Sequence, residues 1–445
     1  MDEFTIGAWT ALGGAPELLE LVGHRELPGV LPSRLPVRRL ARATVAACSL
    51  AAAELLAART GEPVRPVLVD EGAVAAAFVS ERHLRIDGRA LTTFAPHSGF
   101  WPTADGRLRT HANYPHHRAR LLAALGLPED ASAERLGQEL AGRSAVEVQE
   151  TVYAAGGLAV AVVPPAPSAV PHPLVERRPL PGHTPRLLAP AELPAAGVKV
   201  LDLTRVIAGP VATRTLALLG ADVLRVDSPR LPESEDAHAD TGFGKRSTLL
   251  DLDLPADLDT LRQLAEAADV VVTGYRPGAL DRYGLTPEEL PGTVLVQLCA
   301  WGWTGPWAGR RGFDSLVQAG CGIAALEGDA AGTPGVLPAQ ALDHGTGYLI
   351  AAGVLRALTE RQRSARGTQG TQLRYSLAGT AHWLMSSRLP ADQPGPEFDP
   401  APYLTETAGP YGLLRHARPP IGYRGAPTEW ASGPTRWGTD RPSFG

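Results

Sequence analysis

Cysteine is scarce in this chain. Cys48, Cys299 and Cys321 are its three cysteines, each in an apolar stretch and none in a C-x-x-C pair. That spacing argues against a disulfide framework or a cysteine-held metal and for small buried core residues, so a reducing cytoplasm is expected and no metal. Long apolar runs are also missing. No segment reaches the ~18 uninterrupted apolar residues a membrane helix needs, and the opening MDEFTIGAW lacks the basic region and apolar stretch of a secretory leader. No membrane partner is expected. Charge of neither sign is in large excess: the formal net charge of -5 gives no general pull on nucleic acid, and a phosphorylated ligand would need a local patch. The G-x-G-x-x-G spacing of dinucleotide sites is absent as well, which disfavours NAD.

The composition, 44% hydrophobic and 20% charged over 445 residues, is ordinary for a globular protein of two or three domains. Residues 199–227, KVLDLTRVIAGPVATRTLALLGADVLRVD, read as a buried strand, a tight turn through Ala208-Gly209-Pro210, a helix and a second buried strand. This is half of a parallel, nucleotide-type unit. The predicted fold class is α/β: an open parallel Rossmann-like sheet domain without the dinucleotide fingerprint, plus a smaller α+β domain.

PGVLP occurs at Pro28 to Pro32 and again at Pro334 to Pro338, each copy preceding an Ala/Leu-rich helix, a short strand-like run and another apolar helix. The order suggests a degenerate internal duplication. Residues 1–95 then carry the degenerate helix-strand-helix repeat, and 96–165 form a small α+β domain with a hairpin turn at Asp105-Gly106. A proline-rich linker follows at 166–196, unable to continue a helix or sit in a central strand. The sheet domain occupies 197–387, and the Pro/Gly-rich segment 388–445 is expected to be an extended arm or a partly disordered tail.

Asp343 precedes a helix whose apolar positions Tyr348, Leu349, Ala352, Leu355 and Leu358 recur at helical spacing. Taken alone it reads as an N-cap, contributing about 1 kcal/mol.

Six blocks in order resemble the family III CoA-transferases, the group of formyl-CoA and carnitine CoA-transferases and α-methylacyl-CoA racemases. They are the 199–227 segment, GKRS (Gly244 to Ser247), ADVVV with YRPGALDRYG (Ala268 to Gly284), WGWTGP (Trp301 to Pro306), GFDSLVQAG (Gly312 to Gly320) and LDHGTG (Leu342 to Gly347). The likeness covers roughly 196 to 385. The first half of the chain matches weakly and in an unusual order, as though two copies had been fused and each had lost a part.

The resemblance implies an acyl-CoA:carboxylate CoA-transferase with Asp343 as nucleophile, working through an aspartyl anhydride and an aspartyl-CoA thioester. Coenzyme A serves as substrate and acyl carrier, the second partner is a small carboxylic acid, and the assembly is a homodimer. A helix N-terminus would keep Asp343 ionised, and Gly347 would leave room for a thioester. Near Ala43 and Thr44, the matching place in the first repeat, no carboxylate stands, so one active site per chain follows. Carried over by motif, the coenzyme contacts are Arg205, Ile207 and Ala208 on the first turn, Arg225 and Asp227 on the second strand, and Lys245 and Arg246 in GKRS. Tyr275, Ala279 and Arg282 follow around PGALDR. Lys245 and Arg282 are the expected phosphate partners, and Trp301 and Trp303 the expected wall against water.

Three positions depart from the family pattern. Gly274 replaces a common Asn, Asp253 stands where a basic residue often follows the LDL strand, and Ser228 occupies a position that can be Arg. The racemases also place a histidine before the Asp of a GHD-type motif, whereas this chain has Phe313 before Asp314, which disfavours racemisation; His344 is expected to start the helix rather than act as a base. The alternative from another class is a catalytically inactive, coenzyme-binding member of the family.

Overall fold

The protein is described by a computed structural model covering residues 2–91, 94–166, 172–180, 186–364, 370–387 and 395–445. Its main sheet has seven strands: β1 (Glu176–Leu180), β2 (Lys199–Leu203), β3 (Asp222–Asp227), β4 (Lys245–Leu249), β5 (Val270–Thr273), β6 (Val294–Cys299) and β7 (Gly370–Ser376). Runs such as VVVT and VLVQLC are apolar on both faces because helices cover both sides of a parallel sheet. The spatial order is β4-β3-β2-β5-β6-β7-β1, parallel except where β1 runs antiparallel to β7. From β2 the chain winds first through β3 to β4 and then returns to β5 on the other side, so the order reverses between β2 and β5. At that reversal the strand ends splay into a crevice.

Five helices frame the crevice: α1 (Val37–Thr60), α2 (Ala208–Leu218), α3 (Asp314–Gly320), α4 (Ala341–Arg363) and α5 (Leu377–Ser386). α1 and α4 lie parallel at the centre of the molecule. A Cβ on Gly345 would meet Leu40 near the start of α1, while Arg356 and Arg363 both reach the buried Glu54 further along it. By length and composition α1 could cross a bilayer, yet its apolar window is wholly buried in protein. Both helices are entered through the same backbone bend, at Pro36 (φ -76°, ψ 56°) and Gln340 (φ -74°, ψ 63°). Each leads to a strand (Val67–Asp70; β7) and another helix (Glu71–Ala77; α5). No carboxylate opens α1, which starts at Val37.

The smaller α+β unit pairs Phe100–Pro102, Arg107–Thr110 and Ala159–Ala161, with three helices between the last two strands. Its hairpin turns where the Thr103 N–H donates to the Gly106 carbonyl.

Three expectations are corrected. The turn after β2 falls at Arg205 to Ile207, and Ala208-Gly209-Pro210 already forms the first turn of α2. Val206 carries φ 71° there, and Gly209 is required because a Cβ would lie 2.3 Å from Thr204. Part of the proline-rich linker is strand β1; Pro179 is tolerated because an edge strand leaves one row of N–H groups unpaired. Part of the 388–445 segment is a hairpin, Leu404–Gly409 with Gly412–Ala417, which extends a small sheet through Arg85–Ile86 and Arg89–Ala90. Beyond it the chain straps the sheet domain: the Trp437 indole donates to Asp227 (3.0 Å), Gly438 N–H to the Ser247 hydroxyl (2.9 Å), and Asp440 accepts from Ser247 N–H (2.8 Å). The strap has no periodicity of its own because its partners lie on β3 and β4. Positions 167–171, 181–185 and 388–394 of the expected linker and tail lie outside the described residues.

Candidate active site

A cavity of about 580 Å³ lies over the carboxyl ends of the sheet strands. Residues following β4, β3, β2, β5, β6 and β7 all line it, from Asp253 at one extreme to Leu377 at the other. The small domain roofs it with Tyr114, His116 and His117.

Asp343 opens into this cavity from the third position of α4. It is not the cap of its helix. Asp314, at the start of α3, accepts the N–H groups of Leu342 (2.9 Å) and Asp343 (3.0 Å) through Oδ2, while Oδ1 accepts from the Gln318 amide. The Asp343 carboxylate has no hydrogen-bond donor among the described residues. Burial, then Asp314, then Glu81, push its pKa well above the usual carboxylate range. This corrects the expectation that the helix N-terminus keeps Asp343 ionised, since another carboxylate has taken the donors. Asp314 is itself pushed up to about 6, chiefly by burial.

Beside them, His344 is fully buried, stacks on Phe78 and places Nε2 3.4 Å from Glu81. Gly347 is corrected too. A Cβ there would lie 2.6 Å from the Ala208 carbonyl and 3.0 Å from Val211, so the glycine lets α4 approach α2 and does not face a ligand.

Of the positions carried over by motif, Arg205, Ala208, Tyr275, Ala279 and Arg282 line the same cavity as Asp343. Ile207, Arg225, Lys245, Arg246 and Trp301 do not. Lys245 points into the sheet-α2 interface, where its ammonium donates to Asp202 (3.1 Å), Thr213 (2.6 Å) and the Pro210 carbonyl (2.9 Å); burial lowers its pKa to about 8 against the pull of Asp202. It neutralises a buried aspartate and cannot reach a phosphate. Arg225 is held by Asp227 (2.7 Å) and Glu233 (3.2 Å). Arg246 reaches Asp222 and the Ser443 carbonyl at the opposite end of its strand. Trp301 packs on Gly312 and Gly320 and lines a separate cavity with Trp307 and His172; Trp303 lies against Arg374.

Several further residues line the cavity that were not assigned to the site from the sequence. Tyr114 comes from the small domain, its hydroxyl donating to Glu233 (2.8 Å) while its ring lies under the Arg205 guanidinium. Phe313 stacks face to face on the buried His111 at 3.8 Å. Arg276 and Arg311 line the cavity without a carboxylate partner among the described residues, close enough that Arg276 lowers the Arg311 pKa after burial does. Arg276 had a cue in its place in the YRPG turn, and Phe313 in the GFDSLVQAG block. Cys299 also lines the cavity; burial lifts its thiol to about 12, so it stays protonated. No cluster of three metal-ligating side chains occurs among the described residues.

The sheet thus carries, at its topological switch point, a cavity lined by the buried carboxyl group of Asp343 and by the cations Arg276, Arg282 and Arg311. The family model for CoA-transferase family III matches residues 195–417, and the chain belongs to that family. It is similar to an acetyl-coenzyme A transferase of Hypoxylon pulicicidum, 40% identical over 181 residues, covering 38% of this chain and 30% of that one. A succinate–glutarate CoA-transferase of Agrobacterium fabrum is 33% identical over 197 residues, covering 39% and 49%. The crystal structure of a hypothetical protein of Mycobacterium tuberculosis aligns at 31% identity and a TM-score of 0.40, over 44% of this chain and 57% of that chain. This chain therefore spans well under two thirds of each of these relatives.

Proposed function

We propose that the chain transfers coenzyme A from an acyl thioester to a small carboxylic acid, with Asp343 as the nucleophile. One observation carries the reading: Asp343 shares its cavity with Arg276, Arg282 and Arg311, cations suited to the diphosphate of a coenzyme whose thioester end reaches the carboxylate.

A carboxylate oxygen of Asp343 attacks the thioester carbonyl; the C–S bond breaks, leaving a mixed anhydride and free thiolate. The thiolate attacks the Asp343 carbonyl, releasing the donor acid and forming an aspartyl-CoA thioester. The acceptor carboxylate then attacks that carbonyl, expelling thiolate, which finally attacks the acceptor's acyl carbon and restores the carboxylate. No oxidant or net proton is required. Tyr114, Phe313 and Tyr275 give the cavity apolar walls, which slow hydrolysis of the anhydride.

Incubation with acyl-CoA and hydroxylamine, followed by mass analysis of the peptide containing Asp343, tests this. A hydroxamate on Asp343, lost in Asp343→Asn together with turnover, is the expected result. Coenzyme binding without adduct or exchange would instead identify an inactive binding member. The homodimer implied by the resemblance and the cytoplasmic location expected from the cysteine pattern belong to the same proposal, and light scattering checks the first.

A further inference from the structure

The proposed transfer passes through tetrahedral intermediates whose oxyanion needs a hydrogen-bond donor, and the backbone at Asp343 has none to give. The N–H groups of Leu342 and Asp343 are taken by Asp314, and that of His344 by the Gln340 carbonyl (3.0 Å). Arg276, Arg282 and Arg311 serve the diphosphate in that reading, and the Tyr114 hydroxyl is committed to Glu233. The donor has to come from another part of the wall.

His117 is placed to supply it. The residue lines the cavity from the roof, yet it is only 6% exposed. Its Nδ1 is enclosed without a partner, and neither ring nitrogen bonds a described residue, which leaves Nε2 as the nitrogen open to a ligand. Buried polar side chains are nearly always satisfied, so a histidine left in this state points to a role that only a ligand completes. Packing fixes the ring instead: it meets Phe313 edge to face at 5.9 Å and His116 at 4.1 Å. Phe313 directly precedes Asp314, whose carboxylate lies 3.0 Å from the Asp343 nitrogen. The His117 ring thus rests on the segment that holds the nucleophile. Burial, then His116, His111, Arg311 and Arg120, bring its pKa down to about 3. The imidazole therefore stays neutral and keeps one N–H, which can face a developing negative charge without being lost to it.

We infer that His117 is a further catalytic residue, donating an Nε2–H hydrogen bond to the oxyanion formed when Asp343 attacks the thioester. As the bond from the Asp343 oxygen to the carbonyl carbon forms, the carbonyl π pair moves onto oxygen; the imidazole keeps its proton throughout, and collapse of the oxyanion expels the thiolate. The inference rests on the transferase reading and adds a residue to it.

The test compares His117→Phe, which preserves a ring against Phe313, with His117→Gln, whose amide restores a donor near the Nε2 position. Steady-state turnover is measured beside calorimetric titration with coenzyme A. His117→Phe is expected to lower kcat by about 10²–10³-fold with coenzyme affinity unchanged, and His117→Gln to recover about tenfold or more of that loss. A His117→Phe variant as active as wild type overturns the inference, as does a loss that glutamine does not recover or one that follows a parallel loss of coenzyme binding. Each of these leaves the transferase reading standing. A wild type that gives neither turnover nor a hydroxamate on Asp343 brings down both.

Discussion

At the scale of single residues, the site turns on two adjacent carboxyl groups with different partners. Asp314 takes the backbone donors of α4, and Asp343 is left buried without any. Its raised folded pKa means that the folded state holds a proton which the unfolded chain, titrating near ~3.9, has already lost. Stability therefore falls as pH rises from the unfolded value through the folded one. Asp343→Asn removes that dependence, so the variant should be more stable than wild type at pH 8, with the difference shrinking toward acid; denaturant titrations between pH 5 and 8.5 check this. In the proposed mechanism the same proton limits chemistry. The acidic limb of kcat/KM should lie above the ordinary carboxylate range, and a pH-rate profile reads it directly. Lys245 makes the opposite kind of prediction. Lys245→Met leaves Asp202 uncompensated in the interior, which should cost about 3–5 kcal/mol of stability, seen in urea unfolding, rather than acting as the loss of a phosphate ligand.

At the scale of elements, α2 and α4 form the floor of the site by close approach. Gly347→Ala would press a methyl group against the Ala208 carbonyl and Val211, and should destabilise by about 1–3 kcal/mol, measured by denaturation. In the turn between β2 and α2, Val206 holds a left-handed φ of 71°, a conformation that costs a β-branched residue about 1–3 kcal/mol. Val206→Gly should raise the unfolding midpoint despite the added chain entropy. The strands β2 and β3 with the helix between them were legible because both-face apolar runs need no context, whereas the proline-bearing β1 was taken for linker. The turn was not, because Ala208-Gly209-Pro210 has turn-like composition while Gly209 is there for helix-turn packing against Thr204. Arg225 and Lys245 were misread for a related reason: in a strand, alternate side chains enter the core, and a basic residue in a motif does not announce which face it takes.

At the scale of the whole molecule, Glu233 joins the parts. Burial raises its pKa, but Arg225 and then Arg205 outweigh this and hold it below the usual range, while it accepts from Tyr114 of the small domain. The C-terminal strap adds Trp437 on Asp227 and closes over β4. Three histidines are kept neutral mainly by burial, His111 and His117 down to about 3 and His238 to about 4. Their folded values lie below ~6.5, so the unfolded chain binds protons that the native state refuses, and stability falls as pH drops below that value. Each contributes roughly 1.4 kcal/mol per pH unit at most. With the Asp343 effect acting from the alkaline side, the unfolding midpoint should peak between these slopes; thermal scans from pH 4.5 to 8.5 test it.

What the sequence by itself determined was the α/β class, the family and the nucleotide-type strand-helix-strand unit, because periodicity and ordered motifs are local properties of the chain. Only the tertiary structure decided which cations face the cavity, that Asp314 rather than Asp343 caps α4, and that the small domain roofs the site with Tyr114. Those outcomes depend on groups distant in sequence competing for the same donors, charges and space, and neither spacing nor composition records who wins.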